Sequence, residues 1–170
     1  MVQLTILQHP DPRLRTKAKP VARLGSELFR LIDDMFETIH ATRAIGLAAT
    51  QVNVHERVVT IDISERGDAP ELFINPEIVW KRGVSLVEES CLSLPGIVAN
   101  VKRATQLRVR AVDRSGKVHE RDLEGLLAVC LQHEIDHLDG KLFVDRLPFL
   151  QRLRMRGRLA EAPARDARSP

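Results

Sequence analysis

The sequence predicts an α+β fold: a single domain whose antiparallel strands pack around one buried helix, with an amphipathic helix before them and a basic tail after. Three observations point there. Apolar residues recur at helical spacing over residues 28–39, strand-like stretches crowd residues 57–124, and a nearly continuous apolar run occupies 125–131. Helices and strands segregated in this way do not make the repeating β-α-β units of a doubly wound sheet.

In the first element, Leu28, Leu31, Ile32, Met35, Phe36 and Ile39 recur three and four residues apart, which lines one face of a helix. Ser26 is placed to cap it, and Glu27 suits the positive end of its dipole. Further on, RVVTIDIS is β-branched, ELFINPEIVW follows, and LRVRAVD sets Leu107, Val109 and Ala111 against Arg108 and Arg110, the period-two pattern of a half-buried strand. DRSG at 113–116 reads as a turn into KVHERDLE. The stretch GLLAVCLQHEIDHLDG is apolar all round in its first half, as a helix in the interior must be, and Gly140 is placed to end it.

At 170 residues the chain suits one domain with a substantial core. Hydrophobic residues make up 44% but aromatics only 4%, with no tyrosine, so Leu, Ile and Val must build that core. No apolar run approaches the roughly 18–20 residues that span a bilayer, and MVQLTILQHPDPRLR lacks the basic flank and long apolar segment of a signal peptide; a cytoplasmic protein is expected. In that compartment Cys91 and Cys130 are expected as metal ligand or core thiol rather than as a disulfide. Six arginines after position 150 stand against Glu161 and Asp166, a net of +4, which leaves residues 1–150 at −1 of the total +3. The basicity therefore belongs to a C-terminal helix or tail of residues 151–170, expected to be partly disordered, and not to the domain of residues 1–150.

QHEIDHLDG at 132–140 contains H-E-x-x-H. On a helix, His133 and His137 project from one face and can converge on one ion, with Glu134 one step round beside any water bound there. Two histidines and a glutamate can also be a solvated face, but these lie in an apolar helix, where unpaired polar groups are expensive. Catalytic sites of this kind take a third protein ligand. Cys130 shares the helix, yet its Cα lies about 10.5 Å along the axis from that of His137 and its side chain leans away, so it reads as a core thiol near the pocket. His119 sits among charged residues of a hairpin strand, where an exposed histidine is the plainer reading. Cys91, in the polar break EESCLSLPG whose Pro95 and Gly96 mark a loop, remains, and a thiolate suits a soft site.

With these residues in hand, the sequence closely resembles bacterial peptide deformylases over nearly all of residues 1–150. AIGLAATQ at 44–51 is similar to that family's G-φ-G-φ-A-A-x-Q (φ apolar), ESCLS at 89–93 to E-G-C-L-S, and QHEIDHLDG to Q-H-E-x-D-H-L-x-G. The resemblance implies Cys91, His133 and His137 as metal ligands and Glu134 as the acid and base that hydrolyses the formyl group of N-formylmethionyl nascent chains. It implies the Gln51 amide and the Leu92 N–H as oxyanion donors, the Gly46 backbone as a substrate partner, and Ile45, Leu126, Val129 and Cys130 as lining for the methionine side chain. It also points to Fe2+, although two imidazoles and a thiolate suit Zn2+, Ni2+ or Co2+ equally. Ala44 and Ser90 stand where the motifs carry glycine; if either backbone needs positive φ, the side chain costs roughly 1–2 kcal/mol.

Two other readings compete. An H-E-x-x-H zinc endopeptidase commonly takes His or a carboxylate as third ligand, so Cys91 argues against it. A ribosome- or RNA-binding module finds support only in QRLRMRGRLA, whose arginines alternate and so encircle a helix instead of marking one face. That segment is compatible with a deformylase that meets nascent chains at the ribosome, and neither a membrane partner nor a specific nucleic-acid sequence is expected.

Overall fold

The computed structural model describes residues 2–161; the expected disorder of the tail falls, from residue 162 onward, outside the described residues. The chain forms one mixed domain of helices and antiparallel strands. Helix α1 (Ser26–Thr42) is followed by strands β1 (Gly46–Ala48), β2 (Val58–Ile61), β3 (Glu71–Arg82), β4 (Ser85–Cys91), β5 (Leu94–Arg103), β6 (Gln106–Val112) and β7 (Val118–Glu124), then by helices α2 (Gly125–Leu138) and α3 (Phe149–Glu161). Five strands make one antiparallel sheet in the order β1-β2-β3-β6-β7, while β4 and β5 form a separate two-stranded ribbon.

Period-two alternation explains how the larger sheet takes a helix on each face. Val59, Ile61 and Phe73 join Leu107, Val109 and the α2 residues Ala128 and Leu131 in one cluster. Their neighbours Val58 and Ile74 point the other way, onto Ile32, Met35 and Ile39 of α1. The periodicity of α1 is thus its buried stripe, although the helix begins at Ser26 itself, and the N-cap is Gly25, without a side-chain cap. β6 alternates as expected, with Leu107, Val109 and Ala111 buried.

α2 is largely buried from Ala128 onward, but its first turn is not, with Gly125 and Leu126 exposed, so the apolar run implied more burial than its start has; Gly140 follows its end at φ 70°. A Cβ there would stand 2.4 Å from the Arg15 carbonyl oxygen, so both conformation and space require glycine. The segment read as a loop around Cys91 is different: Cys91 is the last residue of β4, Leu92 and Ser93 form a tight turn, and Pro95 and Gly96 lie within β5. The register jumps from Ser90↔Val98 to Cys91↔Leu94, so residues 95–97 bulge out of the ladder. A strand with one neighbour tolerates proline, and a bulge takes up the glycine.

A third cluster lies under this ribbon, where Leu94, Ile97 and Val101 meet Leu142, Phe143, Val144 and Leu147. Met155 of α3 is buried in it, which anchors the first turns of the basic segment to the domain. No helix among the described residues is long and apolar enough to cross a membrane.

Candidate metal centre

α2 brings His133 and His137 one turn apart, and the end of β4 carries Cys91 to them. His137 Nε2 lies 3.2 Å from the Cys91 Sγ and 3.2 Å from the His133 Nε2, and all three donor atoms fall within 4.8 Å of one another. Ligands around a tetrahedral ion with bonds of about 2.0–2.3 Å are separated by roughly 3.3–3.7 Å, so this set fits a divalent metal. Both cysteines are free, as the metal-site reading requires.

The surroundings prepare each donor. His133 Nδ1 lies 2.7 Å from Glu89 Oε2. Burial alone would raise the Glu89 carboxyl, but hydrogen bonds from Arg103 and His133 outweigh it and hold its pKa at about 2, so Glu89 accepts, Nδ1 donates, and the His133 Nε2 is left to face the cluster. Burial keeps His137 well below the usual imidazole range and hence neutral, with the His133 charge adding to the effect. Two donors address the Cys91 sulfur, the Ser93 N–H at 3.4 Å and the Gln51 Nε2 at 3.6 Å. Gln51 is itself oriented, because the Ala48 N–H donates to its Oε1 at 2.9 Å, which turns the amide NH2 toward the cluster.

Glu134 is 4% exposed, and its Oε2 has no hydrogen-bond partner among the described residues. Burial is the main reason its pKa rises to about 7; the nearby His133 charge works against that rise and the Glu89 carboxylate adds to it. A carboxylate with one free oxygen and a pKa near neutrality is suited to taking and returning a proton. Cys130 stays out of the cluster: its thiol points to the Ile45 carbonyl at 3.8 Å, and burial, with Glu134 nearby, pushes its pKa up. His119 stands on β7 outside the cluster.

A cleft of about 610 Å³ opens onto these groups. Gln51, Cys91, Leu92, His133 and Glu134 line it, as do Ile45, Gly46, Leu126, Val129 and Cys130, while His137 lies behind, 1% exposed. The edge strand β1 forms one wall and β4 another, so an extended chain in the cleft meets backbone on both sides. Neither Ala44 nor Ser90 has positive φ, so a side chain costs no backbone strain at either place.

Several residues of the site escaped sequence reasoning. Glu89 and Asp136 sit inside the quoted motifs, and an acidic residue in an apolar helix was a signal for the second. Arg103 gave none: buried between Glu89 and Asp136, it is defined only by the fold. Gln132 staples α2 to the connection between β5 and β6 through the Ala104 backbone, accepting from its N–H at 3.0 Å and donating to its carbonyl at 2.9 Å.

The profile of the polypeptide deformylase family matches residues 3–153. The chain is 56% identical over 164 residues to peptide deformylase 2 of Xanthomonas campestris, covering 95% of this chain and 96% of that one. It is 52% identical over 168 residues to a peptide deformylase of Tolumonas auensis, covering 99% and 100%. The crystal structure of a peptide deformylase from Legionella pneumophila superposes with a TM-score of 0.89 at 47% identity, covering all of both chains.

Proposed function

The chain belongs to the polypeptide deformylase family, and from that premise we propose how its own residues carry out the reaction. The activity is metal-dependent hydrolysis of the N-formyl group from N-formylmethionyl peptides, which releases formate and a free N-terminus. Cys91, His133 and His137 would hold the metal. When bound, a divalent ion supplies Lewis acidity, acidifying a water and polarising a carbonyl. Fe2+ is the proposed ion, with Zn2+, Ni2+ and Co2+ as substitutes that the same donors accept.

The observation that carries the mechanism is the free, buried Oε2 of Glu134 beside that donor cluster. Glu134 removes the proton from the attacking water and holds it while the formyl carbon becomes tetrahedral. The developing negative charge falls on the formyl oxygen, to which the Gln51 amide and the Leu92 N–H donate; losing one such donor typically costs about 100- to 1000-fold in rate. Glu134 then delivers its proton to the methionine nitrogen as the C–N bond breaks. The Gly46 backbone pairs with the extended substrate, and Ile45, Leu126, Val129 and Cys130 receive the methionine side chain. Burial keeps the Cys130 sulfur protonated and apolar, which suits a thioether neighbour.

Residues 1–150 are proposed as the catalytic unit and 151–170 as a basic segment that meets the ribosome in the cytoplasm, where formylated chains emerge. The charge division between the two parts supports that assignment. The functional reading is tested with a matched pair of peptides. Formyl-Met peptide should be hydrolysed and acetyl-Met peptide left intact; equal hydrolysis of both would indicate a general amidase.

A further inference from the structure

A line of alternating charges runs from the surface to the metal centre. At its outer end Arg146, in the turn Phe143–Arg146, has a side chain 45% exposed. Its Nε donates to Asp136 Oδ2 at 3.0 Å, and its Nη2 donates to Asp136 Oδ1. Asp136 is almost wholly buried and accepts a further bond from Arg103 Nη1 at 2.7 Å. Arg103, 3% exposed at its side chain, grips Glu89 with two more bonds, from Nε at 2.6 Å and from Nη2 at 2.9 Å. Glu89 ends the line at His133 Nδ1. The same turn reaches His133 by a second route, since the Phe143 ring stacks on the imidazole at 5.9 Å between centroids and 27° between planes.

We infer that Arg146 is a positioning residue for the metal centre, acting on His133 through Asp136, Arg103 and Glu89. This rests on the reading of His133 as a ligand. With Arg146 present, the two cations and two carboxylates balance, and every guanidinium fork meets a carboxylate edge. Without it, both oxygens of Asp136 must be served by Arg103 alone. The Arg103 fork then turns toward Asp136, its two bonds to Glu89 weaken, and Glu89 no longer fixes the tautomer and orientation of the His133 ring. Buried ion pairs transmit such a change because an unpaired buried charge is costly. The C-terminal turn thereby tunes a ligand that it does not touch with any polar atom.

The test measures zinc affinity by competition with a chelator, and the visible absorption of the cobalt-substituted protein, for Arg146→Met, Arg146→Lys, Arg15→Met and Cys91→Ala. Arg15 pairs with Asp145 in the same turn but takes no part in the line, and so controls for loss of turn stability. Arg146→Met should bind zinc roughly 3- to 30-fold more weakly, the range expected along a coupled network, with a shifted cobalt spectrum. Arg146→Lys, which keeps the charge without the fork, should fall between it and the parent, and Arg15→Met, which removes a charge near His137 but no bond of the line, should lose clearly less than Arg146→Met in both readouts. The inference is overturned if Arg146→Met stays within about twofold of the parent with an unchanged spectrum, since network couplings are expected to exceed that. It is equally overturned if Arg15→Met loses as much. Tight zinc binding by Cys91→Ala would instead overturn the ligand assignment beneath it, which separates the two failures.

Discussion

A methyl group on Gly46 would stand 2.7 Å from Oε1 of Glu134 and 2.6 Å from the Cys130 sulfur. Strand β1 and helix α2 therefore meet with no room for a side chain between them. Gly46 does not have positive φ, so space rather than backbone conformation demands glycine here.

Gly46→Ala should accordingly be an activity variant more than a folding variant. Displacing Glu134 by about 1 Å costs on the order of 100-fold in rate, whereas overpacking typically costs about 1–3 kcal/mol of stability. Steady-state kinetics and thermal melting of the same preparation check this. A folded variant with parental kcat would mean that the close approach is not what positions Glu134.

The two cysteines should separate cleanly. Cys91→Ala removes one of three converging donors and should abolish tight metal binding, while Cys130→Ala should keep full metal content and lose about 1 kcal/mol or more of packing. Metal analysis of both variants after dialysis is the check, and equal metal loss in the two would contradict the placement of Cys130 outside the cluster.

Glu134 makes the metal-free protein sensitive to pH in a defined direction. Its pKa rises from 4.5 to about 7 on folding, chiefly through burial, so the folded state binds the proton more tightly than the unfolded state. The stability this contributes is fully present below about pH 4.5 and is lost as pH rises through about 7, a swing on the order of 3 kcal/mol. His133 and His137 titrate as well, so the informative quantity is the stability difference between the metal-free parent and Glu134→Gln. Denaturant unfolding across that range should show the parent losing ground to the variant as pH rises, and a constant difference would count against the buried carboxyl.

Much of this was legible in the sequence where a local pattern has one physical meaning. The stripe from Leu28 to Ile39 had to be a buried helix face, and an H-E-x-x-H inside an apolar helix, where unpaired polar groups are costly, marked His133, Glu134 and His137 as candidates. The ribbon β4–β5 was less legible, because Pro95 and Gly96 signal a bulge and a loop in the same letters and only the pairing register tells them apart. Arg103 was invisible for another reason. An arginine becomes a buried bridge only when a strand and a helix far apart in the chain bring Glu89 and Asp136 to it.

Truncation after Leu150 separates anchoring from chemistry. The cut removes Met155 from the third core cluster, so the shortened chain should be less stable by about 2–4 kcal/mol yet hydrolyse small formyl-Met peptides at a near-parental rate below its melting temperature. Its sedimentation with ribosomes should weaken and lose part of its salt dependence, because the concentrated arginines available to meet phosphate go with the cut. Unchanged co-sedimentation at two salt concentrations would remove the tail from ribosome contact.

The most direct measurement compares formate release from a formyl-Met peptide by the parent and by Glu134→Gln at equal, measured metal content. The ligands are untouched, so the variant should load with metal normally. Its kcat should nevertheless fall by at least about 100-fold, as expected when a general base is removed. Metal-loaded Glu134→Gln that kept more than about a tenth of the parental kcat would contradict the assignment of proton transfer to this residue.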